Sequence, residues 1–212
     1  KGSGEQGKPL GVIALADAIK TNGALEKLLM SANGFKGSEA GKALGDMIAA
    51  NTVLKDLDLS KNYSSPEFAK EFAVGLGANG ALTHLDISNQ TFKTGRGHTR
   101  TVGGIGAEGA KPLADALHTI ASLTSLNLLS NGLDVESAGM LLKVKAEKPT
   151  LRTLCGLTHE ETQLGPGDFQ YNGLGPGDVM LLAPEISVMA SLTAIKASLT
   201  AIGEGGLNLA GN

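Results

Sequence analysis

The sequence predicts an α/β solenoid, a stack of strand–turn–helix units with a parallel sheet on one side and helices on the other. Three observations carry this. First, Leu25, Leu28, Met30 and Asn33 recur as Leu54, Leu57, Leu59 and Asn62, then as Leu82, Leu85, Ile87 and Gln90, and as Leu123, Leu126, Leu128 and Asn131. The phrase LxxLxLxxN returns after 29, 28 and 41 residues, the mark of units that bury their apolar faces only against neighbours. Second, Ala40, Ala43, Leu44, Met47 and Ile48 fall at helical spacing, so these side chains share one helix face. Third, a helix between successive strands rules out hairpins and requires parallel pairing through right-handed crossovers.

Taken in order, Ala14–Ile19 reads as a helix ahead of the first strand, because ALADAI is echoed by PLADAL at Pro112–Leu117 in the fourth unit. Further helices are expected over about Ser38–Ala50, Pro66–Leu76, Val135–Lys145 and Gly177–Met189. Each is followed by a short link and the next leucine phrase. Helices are about 10 Å wide and strands lie about 4.8 Å apart, so the stack is expected to curve with the sheet inside.

These residues resemble the ribonuclease-inhibitor-like class of leucine-rich repeat proteins, whose units hold a full helix. The resemblance covers residues 5–157 best. It implies a horseshoe with a concave parallel β-sheet and convex α-helices, used mainly to bind proteins. At fold level the chain also resembles the Ran GTPase-activating proteins and the sensor domains of intracellular immune receptors.

The phrase-ending asparagine has a physical role, since its amide both donates to and accepts from backbone groups of adjacent units. Asn33, Asn62 and Asn131 are read as this structural ladder, with Gln90 and His159 in the same position as poorer fits. An inward-facing Asn62 amide is unavailable to a glycan despite its Asn62-Tyr63-Ser64 sequon; Asn89-Gln90-Thr91 is the other sequon.

The repeat breaks twice. The 41-residue interval holds an insertion that includes the basic stretch Phe92–Arg100, in which Lys93, Arg96 and Arg100 suit phosphate or carboxylate groups. A solvated rim loop is the simpler reading. Later, Leu164-Gly165-Pro166-Gly167-Asp168 recurs as Leu174-Gly175-Pro176-Gly177-Asp178, too close for a full unit. Leu192–Ile195 and Leu199–Ile202 repeat the difficulty, so a single domain over 1–212 is expected to be regular to about 157 and irregular over 158–212. The final Leu207–Asn212 is the strand half of a repeat without a polar cap after it, which reads as part of a longer chain.

Alternation along the strands places two columns on the open sheet face. One runs Lys27, Asp56, His84, Ser125, Thr153; the other runs Leu29, Asp58, Asp86, Asn127, Cys155. Asp56, Asp58, His84 and Asp86, with Asn127 beside them, form the leading partner-binding candidate. Clustered carboxylates there would receive Lys or Arg from a partner with a basic surface. A solvated acidic face that keeps the sheet soluble is the alternative. Oxygen ligands for a divalent metal are present, but no EF-hand-like loop organises them.

Composition sets the remaining bounds. With 42% hydrophobic and 18% charged residues the 212-residue chain is of globular type, and 3% aromatic with no Trp suits stacked aliphatic layers. A net charge of −3 gives no overall pull towards nucleic acid. One Cys excludes an internal disulfide and favours an intracellular, cytoplasmic setting. No run approaches the ~18–20 apolar residues of a membrane span. The four histidines at 84, 98, 118 and 159 lack HExxH or CxxC spacing, His118 reads as helix surface, and Cys155 has no identifiable His or Asn partner. No metal, cofactor or catalytic residue is expected.

The expected function is non-enzymatic protein binding through the sheet face, with the Lys93–Arg100 loop as an accessory contact. The oligomeric state is left open. A structural or scaffold subunit of a large assembly is the alternative within that class. GTPase activation of the Ran type is the alternative from another class, and no residue-by-residue match supports it.

Overall fold

The computed structural model describes residues 9–88, 104–158, 160, 163–164 and 174–195. Helix α1 (Leu10–Lys20) precedes β1 (Lys27–Leu29), then α2 (Gly37–Ala50), β2 (Asp56–Asp58), α3 (Pro66–Ala78), β3 (His84–Asp86), α4 (Gly106–Thr119), β4 (Ser125–Asn127) and α5 (Val135–Glu147) alternate. Short β5 (Gln163–Leu164), α6 (Pro176–Ile186) and β6 (Ala194–Ile195) follow. Strands β1 to β4 form one parallel sheet in chain order, and β5 pairs parallel with β6 in a second. Each helix packs on its chain neighbours alone among the described elements. This α/β arrangement of repeated strand–helix units fits a leucine-rich-repeat-like fold.

The leucine phrases form the core. Leu54, Leu57 and Leu59, Leu82, Leu85 and Ile87, and Leu123, Leu126 and Leu128 are all buried, facing Leu44, Met47, Ile48, Phe68, Phe72, Leu113 and Leu117 from the helices. Phe68 stacks on Phe35 and Phe72 at 5.9 and 5.6 Å between ring centres. Ser65 caps α3, its hydroxyl accepting from the Phe68 N–H with Pro66 next, and Asp134 caps α5 by accepting from the Ser137 N–H.

Helix α4 starts six residues before Pro112, which lies inside it, whereas the sequence echo covered only Pro112–Leu117. The second Gly-Pro-Gly-Asp starts α6 at Pro176, and Leu164 of the first ends β5. The insertion residues Lys93, Arg96 and Arg100, with Gln90, His98, His159 and Leu207–Asn212, lie outside the described residues.

The ladder is built by Asn62 and Asn131. Asn62 Oδ1 accepts from the Asn33 and Gly34 N–H groups at 2.8 and 2.9 Å, and its Nδ2 donates to the Met30 and Leu59 carbonyls. Asn131 Nδ2 donates to the Ile87 and Leu128 carbonyls at 2.8 and 2.9 Å. Each therefore reaches back one unit. Asn33 departs from expectation: it is exposed and its amide donates only to Ser31 O in its own turn, because no strand precedes β1 among the described residues.

A second ladder runs along the helix ends. Asn51 Nδ2 donates to Ile19 O and Asn22 O, and Asn79 Nδ2 to Ile48 O and Asn51 O. Their side-chain oxygens accept from Val53 and Leu54, and from Ala81 and Leu82, respectively. The phrase NxxL at Asn22, Asn51 and Asn79 is its sequence signal. In the fourth unit Ile120 replaces the asparagine, and Thr119 and Ser122 hydroxyls bond Gly77 O and Leu82 O instead.

Candidate functional site

The two predicted columns are in register. Lys27 pairs with Asp56, Asp56 with His84 and His84 with Ser125; Leu29, Asp58, Asp86 and Asn127 form the parallel row. The leucines between them are buried towards the helices in β2 to β4, so alternation turns both rows to the opposite face. Isolated bridges join Ser125 to Thr153 and Asn127 to Cys155.

The face is less acidic than its aspartates suggest. Lys27 Nζ lies 2.7 Å from Asp56 Oδ2, and hydrogen bonding to Asp56, reinforced by its charge, holds the ammonium above its ordinary range. Asp58 and Asp86 each accept the N–H two residues on, from Ser60 and Ser88, both at 2.8 Å. Asn127 Oδ1 does the same for Leu129 at 3.2 Å, and its Nδ2 donates to Asp86 Oδ2 at 3.1 Å. These are Asx turns that end each strand, a structural task legible afterwards in Asp58-Leu59-Ser60 and Asp86-Ile87-Ser88.

Asp86 is partly buried. Burial pushes its carboxyl above the usual carboxylate range; the Ser88 and Asn127 hydrogen bonds pull it back, and nearby Asp58 adds to the rise. His84 is exposed, with Nδ1 2.9 Å from the Thr83 hydroxyl. Asp58, His84 and Asp86 thus present charge and hydrogen-bonding groups at adjacent strand positions, about 5 Å apart across the sheet.

The columns end earlier than expected. Thr153 and Cys155 are buried rather than lining the face. The Thr153 hydroxyl donates to Glu185 Oε2 of α6 at 2.6 Å, and the Leu154 N–H donates to Oε1 at 2.7 Å. Lys145 Nζ reaches the same Oε1 at 3.1 Å. A carboxylate from α6 therefore receives the edge N–H that a further strand would have taken. Burial, and after it the neighbouring Glu185 carboxylate, pushes the Cys155 thiol well above its ordinary value.

His118 lies on the exposed surface of α4, 3.9 Å from Glu147. Among the described residues, no three His, Cys, Asp or Glu side chains gather to hold a metal ion. Among them too, no helix is long and apolar enough to cross a membrane.

No protein-family profile matches the chain, and no curated protein does. Among solved structures it is similar to the Leiomodin-1 Actin-Binding Site 2 (ABS2), with a TM-score of 0.51 and 17% identity over 64% of this chain and 73% of that one. At that identity the likeness is one of fold, and it agrees with the leucine-rich-repeat-like arrangement derived from the strand and helix order.

Proposed function

We propose that this chain is a non-enzymatic protein-binding module of the ribonuclease-inhibitor-like leucine-rich repeat class. Its stack curves as a horseshoe, with the sheet concave and the helices convex. The single observation that carries the reading is the helix-free sheet face, where Asp56, Asp58, His84, Asp86 and Asn127 stand in register with polar side chains turned outward. Asp58 and His84 supply the accessible contacts, and a partner with Lys or Arg at matching spacing completes the pairing. Lys93, Arg96 and Arg100 serve as an accessory contact. The single Cys supports an intracellular site of action.

Actin is the first partner to try, because the structurally similar protein carries an actin-binding site by name; capture from native extract with cross-linking mass spectrometry widens the search. Asp56→Asn with Asp58→Asn removes two charges while an Asn at 58 still accepts the Ser60 N–H. Binding of a concave-face partner falls about tenfold or more with the melting temperature held, and unchanged binding overturns the reading. The scaffold-subunit reading has its own support in Met140 and Met180, both exposed on adjacent helices α5 and α6. Cross-links confined to those helices would favour it.

A further inference from the structure

Helix α6 is held to the last regular unit by side chains where the inner units use backbone. Ala32 and Lys61, each one residue before its ladder asparagine, donate their N–H to the Ser60 and Ser88 carbonyls of the next unit at 3.0 Å. Ser130 has the same place in the fourth phrase, and its N–H goes to Asp178 Oδ1 at 2.8 Å. Leu126 donates to Thr153 O of the unit that follows it, whereas Leu154, its counterpart, donates to Glu185 Oε1. Asp178 and Glu185 are seven residues apart and share one face of α6. Both are buried, so two carboxylate oxygens take the place of strand carbonyls.

The helix that carries them is weak by itself. It spans 11 residues, and isolated helices shorter than about 12–15 are marginal in water. Pro184 within it has no N–H to give the Met180 carbonyl four residues earlier. Leu181 and Leu182 are buried and favour docking. Docking also takes both carboxylates out of water, one of them with Lys145 as its ion-pair partner, and release returns these charges to solvent. The seat at the start of α6 is backbone on backbone, since a Cβ on Gly177 would run into the Leu133 carbonyl. Helix α6 therefore keeps its form only while docked, and undocking and melting are one local event.

Against α6 lie Thr153 and Cys155, which bridge to Ser125 and Asn127 and so continue both columns of the sheet face. The Thr153 hydroxyl donates to Glu185 Oε2, the Cys155 thiol lies beside the same carboxylate, and both residues are buried.

We propose that α6 is a releasable cover over the end of the sheet. It opens as a unit while α1 to α5 stay folded, and its opening frees the Leu154 N–H and adds Thr153 and Cys155 to the two columns. The longer face this offers a partner rests on the protein-binding reading above; the opening itself is measured without any partner.

Cys155 is the single cysteine of the chain, so its reaction with dithiobis(nitrobenzoate) reports the opening in the full chain. Labelling is followed across urea concentrations below the unfolding transition, and the transition itself by circular dichroism. The opening exposes a small part of the molecule, so the urea slope of labelling is expected to lie well under that of global unfolding. In water, labelling is expected to run at least tenfold faster than global unfolding allows.

Two variants separate the seat from the helix. Gly177→Ala and Pro184→Ala both favour helix. Gly177→Ala is nevertheless expected to speed labelling about tenfold, by forcing α6 off Leu133, whereas Pro184→Ala, at an exposed position, slows it about tenfold. The proposal is overturned by labelling that shares the slope and midpoint of global unfolding, or by an unchanged or slower rate in folded Gly177→Ala. If Gly177→Ala loses the folded state by circular dichroism, Pro184→Ala decides, and an unchanged or faster rate there overturns the proposal.

Discussion

Asn62 and Asn33 occupy one position of one motif and do different work. Asn62 is fully buried and satisfies backbone groups of two units, so Asn62→Ala strands several buried donors and acceptors and costs about 3 kcal/mol. Asn33→Ala stays within about 0.5 kcal/mol, as an exposed substitution does. Urea unfolding of both variants checks the pair, and equal losses would refute the ladder account. Asp86 adds a pH term at the same scale. Its folded carboxyl titrates above the ordinary Asp value because of burial, so the native state binds that proton more tightly than the unfolded chain. The resulting stabilisation is fully present below the unfolded value and is lost as pH rises through the folded one. Relative to Asp86→Asn, the unmodified protein therefore gains stability on acidification through that window; a pH series of urea midpoints measures the gap, and a constant gap contradicts the assignment.

At the scale of elements, the spacing between helices is set where a side chain is missing. A Cβ on Gly75 of α3 would run into the Gly45 backbone of α2, and one on Gly41 would meet the Phe68 backbone. These contacts let α2 and α3 pack closely enough to match the strand spacing beneath them. Gly75→Ala pushes the helices apart and costs about 1–3 kcal/mol. Gly11→Ala in α1, where a Cβ meets nothing, is neutral or stabilises by about 0.5–1 kcal/mol through backbone entropy. Thermal melts of the two variants should move in opposite directions or differ by that margin. Helix starts were legible where a capping residue marks them, as at Ser65-Pro66 and Asp134. The start of α4 was not, since Ile105 offers no side-chain cap.

Across the whole molecule, the four-stranded sheet ends on Glu185. This carboxylate is fully buried and accepts from Leu154 N–H, the Thr153 hydroxyl and Lys145, which closes the edge beyond Leu154 while β5 and β6 form a separate sheet. Its removal in Glu185→Ala leaves those donors buried without their acceptor, at a cost of about 3–5 kcal/mol. Since each unit is stabilised by its neighbours, the loss falls on the C-terminal units first. Hydrogen exchange at the Leu154 amide should rise well before exchange in β2 or β3, and a uniform rise along the chain would argue against this local role. At β1 no such carboxylate closes the edge among the described residues.

The sequence by itself determined the unit, its strand register and the buried leucines, because a residue repeat with one apolar phrase per strand leaves a single consistent stacking of parallel strands. It also determined which residues share the open sheet face: Asp56, Asp58, His84, Asp86 and Asn127 fall where alternation places them. Their chemical availability was decided by tertiary structure. Lys27 reaches Asp56 only across a strand pair, Asp58 and Asp86 spend an oxygen each on their own turns, and Asp86 owes its raised carboxyl to burial. The burial of Thr153 and Cys155 was equally out of reach, because Glu185 is 32 residues from Thr153 in the chain and no local pattern records a contact that only the packing of α6 creates. Repeats write nearest-neighbour geometry into sequence; charge pairing and edge closure depend on distances that only the folded stack sets.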